Sequence, residues 1–241
     1  MPARAKADIY KGRRPTELPL YQIAEAAHYL RLPVATVRSW SVGRHYGVGS
    51  GRRHFPLLIA VADADTPLLS FCNLVELHVL SSIRITHEVQ IKAVRRATGY
   101  LESHFKSEHP LLEREMLTDG KDLFIEQYGE FVTISQGGQM AMKKILGIYL
   151  DRIDRDPRGI PIRLFPFTRR QKEPQPQSPK SVAIDPTIRF GKPCIAGTII
   201  PTSIIMERYA AGDSFKLLAE DYGRREGDIE EAIRYESRVA S

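Results

Sequence analysis

The stretch Arg169 to Lys180, RRQKEPQPQSPK, constrains most strongly what this chain can fold into. It carries three prolines and three glutamines and no large apolar side chain. So little apolar surface cannot offset the entropy lost on ordering, and a semi-extended linker is expected there. The 241 residues therefore divide into a large N-terminal part and a short C-terminal module, 181–241.

Charge divides the chain a second time. Residues 1–56 hold ten Lys or Arg against Asp8, Glu17 and Glu25, a net of +7, whereas 57–170 net zero and 171–241 net −1. The overall +6 is thus a property of one end. A basic patch confined to one module is what a phosphate backbone selects, because each cation that meets a phosphate releases condensed counterions. Composition over the whole chain is that of an ordinary globular protein, 42% hydrophobic and 27% charged. No apolar run reaches the roughly 18–20 residues of a membrane span, and the N-terminus lacks the apolar core of a secretion signal. Cys72 and Cys194 stand alone, without disulfide or metal-ligand spacing. These features lead us to expect a cytoplasmic protein with no membrane association and no cofactor.

Inside the basic part, residues 1–16 read as a mobile arm and 17–58 as a winged helix-turn-helix. Tyr21 to Leu30 places Ile23, Ala26, Ala27 and Leu30 on one helical face. After a short turn, Val34 to Trp40 forms a second helix with Val37 and Trp40 inward, and His28 packs or lies at the surface. The glycine-rich stretch 41–55 reads as a turn feeding a basic strand. A recognition helix enters the major groove with its early residues toward base edges. Those residues are Ala35, Thr36, Arg38 and Ser39; Arg44, Arg52, Arg53 and His54 would ride on the wing against the backbone.

The middle region, 59–168, reads as helical with β elements. Helices are expected over 68–84 and 87–105, a β-hairpin over 123–135 with its turn at Tyr128-Gly129, a helix over 139–153 and a strand over 160–167. Met140, Ile145, Leu146, Tyr149 and Ile153 form the apolar side of the 139–153 helix. The helices over 68–105 are the expected surface of a homodimer, since paired half-sites call for two-fold symmetry. Acidic groups at Glu113/Glu115, Asp119/Asp122 and Asp151/Asp154/Asp156 alternate with Arg114, Lys121, Arg152 and Arg155. They read as solvated ion-pair surfaces rather than a metal centre, and no nucleotide-loop or nucleophile motif points to an enzyme. Beyond the linker come short strands and three helices, with Asp213 and Asp228 as N-caps, Gly212 and Gly223 as C-terminal glycines, and Ile195, Ile200, Leu217, Leu218 and Ile233 in the core. The fold class is mainly α with small β elements (α+β): a winged helix-turn-helix, a helical/β-hairpin middle and a trihelical end, which the resemblance described next makes homeodomain-like.

Two stretches resemble known families. YQIAEAAHYLRLPVATVRSW, with Arg53-His54-Phe55 beyond it, resembles MerR-type winged helix-turn-helix domains; it departs at Pro33, in the place of a capping Ser, and in a longer wing. Asp185 to Thr202, with Ala211-Gly212-Asp213-Ser214 and Leu218 to Tyr222 after it, resembles a small homeodomain-like domain with the signature GKPvIrGTRIpv. Ile199 and Ala196 replace two of its arginines. Proteins with that domain look like VapB-type antitoxins, partners of PIN-like ribonuclease toxins. The resemblance implies an antitoxin that binds its toxin and represses its own operon at operator DNA. Arg224, Arg225, Arg234 and Arg238 are then the candidates for contact with the toxin's carboxylates. The alternatives are a ligand-responsive MerR-like regulator whose middle region senses a small molecule, and an adaptor whose winged helix binds protein rather than DNA.

Overall fold

The computed structural model describes residues 12–48, 51–55, 57–63, 65–86, 91–107, 109–131, 135–169 and 174–237. Helix α1, Ile23–Leu30, opens on a reciprocal cap in which the Gln22 amide donates to the Glu25 carboxylate at 2.9 Å. It buries Ile23, Ala26, Ala27 and Tyr29, and closes on Arg31 in the left-handed region, φ 55. Helix α2, Val34–Ser41, follows Pro33, which offers no capping side chain. Val37 and Trp40 point into the core, as the spacing predicts. The hairpin β1, Arg44–Val48, and β2, Gly51–Phe55, is antiparallel and forms the wing. The chain leaving it is tied back to α2, because the Trp40 carbonyl accepts from Leu58 at 2.7 Å and Ile59 at 3.1 Å.

Four helices fill the middle: α3, Phe71–Thr86; α4, Ile91–Phe105; α5, Asp119–Phe131; and α6, Gln136–Leu150. Every residue of α3 from Phe71 to Ile83 is buried. The central helix has no free side over that length, so it cannot be the dimer surface expected of it; α4 keeps an exposed face at Lys92, Arg96 and Tyr100. Ala27 of α1 and Val37 and Trp40 of α2, with Tyr21 just before them, belong to the same core as Leu74, Leu101, Phe124 and Leu146. The helix-turn-helix is thus built into the body rather than strung beside it.

The β-hairpin expected over 123–135 is corrected: its described part is helix α5, and 132–134 lie outside the described residues. Phe124, Ile125 and Tyr128 are buried at helical, not alternating, spacing. Gly129 is not a turn. It lies within α5, where a Cβ would come within 2.8 Å of the side-chain amide of Gln139 on α6, the movable end of a flexible side chain. Helix α6 begins earlier than expected, on Ser135, whose hydroxyl accepts from the Gly138 amide at 3.2 Å. Met140 is 74% exposed, Met142 takes its place inside, and Ile153 belongs to a strand.

Strands β3, Ile153–Arg155, and β4, Pro161–Leu164, pair antiparallel, as do β5, Val182–Ala183, and β6, Cys194–Ile195; a bridge between Leu164 and Ile184 joins the two hairpins. Helices α7, Thr202–Ala210, α8, Phe215–Tyr222, and α9, Glu226–Glu236, close on a second small core of Ile195, Ile205, Leu218, Ile229, Ala232 and Ile233. Ser214, not Asp213, caps α8, and Arg225 stands at the N-cap of α9 in place of Asp228. Leu217, expected in the core, is 42% exposed.

Arg152 also departs from expectation. It is buried rather than part of a solvated ion-pair surface, and its guanidinium donates to the carbonyls of Phe165 (2.6 Å), Pro166 (3.1 Å), Ser178 (3.1 Å) and Pro179 (2.7 Å). Lys180 Nζ donates to the Asp151 carbonyl at 2.6 Å. Residues 174–180 are therefore fastened to the body by one arginine and one lysine, although their own side chains bring little apolar surface.

Candidate nucleic-acid interface

Helix α2 presents Val34, Ala35 and Arg38 to solvent, with Thr36 and Ser39 half-buried beside them. Four of the eight sequence-predicted DNA contacts thus share one short helix. Arg38 enters no ion pair among the described residues, so its charge is not neutralised from within. The other four lie on the wing backbone. Its register sets Arg44 opposite Phe55, Arg53 opposite Tyr46, Arg52 opposite Gly47, and His54 opposite His45. A helix with an exposed arginine next to a hairpin rich in arginine can meet a groove and its flanking phosphates together.

The rear of α1 is held by the C-terminal module, a contact that sequence patterns do not reveal. His28 Nε2 lies 2.9 Å from the Glu236 carboxylate, whose other oxygen accepts from the Thr202 hydroxyl. Arg31 donates to the carbonyls of Arg234 and, at 2.8 Å, Tyr235, and its guanidinium stands 5.8 Å above the Tyr235 ring. The buried Tyr235 hydroxyl donates to the Tyr29 carbonyl at 3.0 Å. Burial pushes the Glu236 carboxyl up, but the hydrogen bonds from His28 and Thr202 outweigh it and hold the group below the usual carboxylate range. Gly191 completes the seam: at φ 73, a Cβ there would overlap the Tyr21 hydroxyl.

The arginines proposed for a protein partner do not converge. Arg225 grips Asp228 through Nε at 3.1 Å and Nη2 at 2.9 Å, and Arg224 reaches the same carboxylate at 4.0 Å. Arg234, near the other end of α9, lies 3.9 Å from both Glu230 and Glu231. Arg238 is outside the described residues. Each described member is paired within its own helix or the turn before it. Among the described residues no group of His, Cys, Asp or Glu could hold a metal, and Cys72 and Cys194 are free and buried. No described helix is long and apolar enough to cross a membrane.

Two family models match the chain. Residues 19–98 match a "Putative DNA-binding HTH domain", and 182–235 match a "Protein of unknown function (DUF433)". Two Mycobacterium tuberculosis proteins are similar over most of their lengths. "Putative antitoxin VapB45" is 26% identical over 235 residues, covering 90% of this chain and 93% of its own. "Uncharacterized protein Rv2308" is 23% identical over 225 residues, covering 90% and 89%. The X-ray crystal structure of Rv2018 from the same organism superposes with a TM-score of 0.63 at 20% identity, covering 90% of this chain and 98% of that one. That likeness establishes a shared fold. The mainly helical architecture with small antiparallel hairpins is the expected α+β class, with the helix-turn-helix at its N-terminal end.

Proposed function

We propose that this chain is a cytoplasmic antitoxin with two partners: operator DNA, and a ribonuclease toxin of PIN type. The winged helix, of MerR type, reads the operator and represses the operon, while the C-terminal module neutralises the toxin by direct binding. The observation that carries the reading is the combination, in one chain aligned almost end to end with VapB45, of an unneutralised recognition-helix arginine on a basic wing and a compact C-terminal module of near-neutral charge. Ala35, Thr36, Arg38 and Ser39 enter the groove, and Arg44, Arg52, Arg53 and His54 hold the flanking backbone. Half-site recognition makes the working unit a homodimer, with the exposed face of α4 available to it.

DNA from upstream of the chain's own reading frame, titrated at several salt concentrations, tests the first half. Arg38→Ala and Arg52→Ala/Arg53→Ala should each weaken binding and lower the salt slope by about 0.9 for every phosphate no longer neutralised. Folded variants with unchanged affinity and slope would remove these residues from the interface. Co-expression with the product of the adjoining reading frame tests the second half; neither growth rescue nor co-purification would end the antitoxin reading. The ligand-responsive alternative draws on an open groove of about 930 Å³ bordered by Arg13, Glu17, Asn73, Glu102 and Lys106. DNA release by a small molecule, with no protein partner found, would favour it.

A further inference from the structure

The C-terminal module carries a surface that neither the seam nor the α9 arginines use. Arg189, Phe190 and Gly191 stand successively at φ 50, 56 and 73, three left-handed residues in a row. Glycine takes that region freely, but a phenylalanine does so only at a backbone cost. Here the ring is 85% exposed. The turn cannot relax by shifting inward, because Gly191 lies against the Tyr21 hydroxyl. Arg189 Nε donates to the Ile199 carbonyl at 3.1 Å, which brings Ile199, 63% exposed, beside the turn. Ile204, on the first turn of α7, is exposed as well. Phe190 and Ile199, joined through Arg189, and Ile204 are exposed apolar side chains of one small module that gain nothing for the isolated chain; such groups are what a partner buries.

Charge narrows the partner. From Thr187 to Met206 the sequence holds Arg189 and Lys192 and no carboxylate. Neither cation enters an ion pair among the described residues, in contrast to Arg224, Arg225 and Arg234. The carboxylates across the recess from Lys192 are Glu25 and Glu236, and Glu236 is taken by His28 and Thr202. A second copy brought face to face would oppose like charges, and a nucleic acid would leave the isoleucines against phosphate or solvent. What fits is a protein with an apolar recess bordered by carboxylates.

We propose that Phe190, Ile199 and Ile204, flanked by Arg189 and Lys192, form the surface on which the toxin docks, with the Phe190 ring seated in the toxin's recess. The proposal rests on the antitoxin reading and replaces the α9 arginines as the point of contact. The test captures the product of the adjoining reading frame with the full-length chain, in parallel with binding of the upstream DNA. Phe190→Asp, Ile199→Asp and Arg189→Glu should each weaken capture at least tenfold and leave DNA affinity within twofold; Arg225→Gln and Arg234→Gln should leave both within twofold. Phe190→Asp and Ile199→Asp alter mostly exposed side chains, Arg189→Glu removes the hydrogen bond to the Ile199 carbonyl, and a melting temperature within about 2 °C of the unaltered chain selects the variants that are folded. Capture unchanged by Phe190→Asp overturns the surface while the antitoxin reading stands. Phe190→Asp that weakens DNA binding and spares capture also overturns it, in favour of a nucleic-acid contact. No capture by the unaltered chain overturns the antitoxin reading, and this surface with it.

Discussion

Replacing Tyr235 by Phe removes one oxygen atom and isolates the contribution of the seam between the modules. The ring stays, with its packing against His28 and beneath Arg31. What is lost is the hydroxyl that donates to the Tyr29 carbonyl at 3.0 Å in a fully buried position. Leaving a buried acceptor without its donor costs about 1–3 kcal/mol. For a chain of this size each kcal/mol lowers the melting temperature by about 2–4 °C, so Tyr235→Phe should melt roughly 2–12 °C lower. Differential scanning calorimetry at neutral pH reads the shift directly. Tyr209→Phe is the control, since Tyr209 is 39% exposed and its change should move the transition by less than about 1 °C. If Tyr235→Phe melts with the unaltered chain, the modules do not meet as described and the reasoning about the seam fails.

Three further outcomes are expected elsewhere in the fold. The Glu236 carboxyl is depressed in the folded chain, so its contribution to stability is complete above the unfolded glutamate value of about 4.5 and is lost as pH falls below it. Glu236→Gln should therefore flatten the melting-temperature profile between about pH 3 and 5, and an unchanged acid limb would contradict this. Arg152→Met should cost on the order of 3 kcal/mol, because several buried carbonyls lose a charged donor, and should open residues 174–180 to protease; a variant as stable and resistant as the original would show that the arginine does not fasten the segment. Gly191→Ala should destabilise by about 1–3 kcal/mol through overlap with Tyr21 and a positive φ, with partial recovery in Tyr21→Phe, checked by chemical denaturation.

Where apolar side chains recur at a fixed period the fold is legible in the sequence. Ile23, Ala27, Val37 and Trp40 mark α1 and α2 because burial there is one-sided, and the glycine-rich basic stretch after them pairs as a hairpin. Tyr128-Gly129 misleads because a glycine inside a helix has the same letter as a glycine that turns a chain. Arg152 misleads for a related reason: among aspartates it reads as a surface cation, and only the tertiary structure supplies the carbonyls it serves. The exposed face of α2 is legible, since α2 is local. The seam is not, because His28 and Glu236 are 208 residues apart and no local pattern links them. Phe190 carries a faint signal, an aromatic before Gly-Lys-Pro in a stretch without acids, but its exposure is a property of the folded turn.

Arg31 ends two helices at once. Its amide closes α1 on the carbonyls of Ala27 and His28, and its guanidinium closes α9 on those of Arg234 and Tyr235. Both helices thus bring the negative ends of their dipoles to one place, a juxtaposition that is unfavourable without a cation between them. Arg31 is that cation, and two residues later the chain begins the turn into α2. Through that one cation the end of α9 is joined to the segment that leads by way of Pro33 into α2.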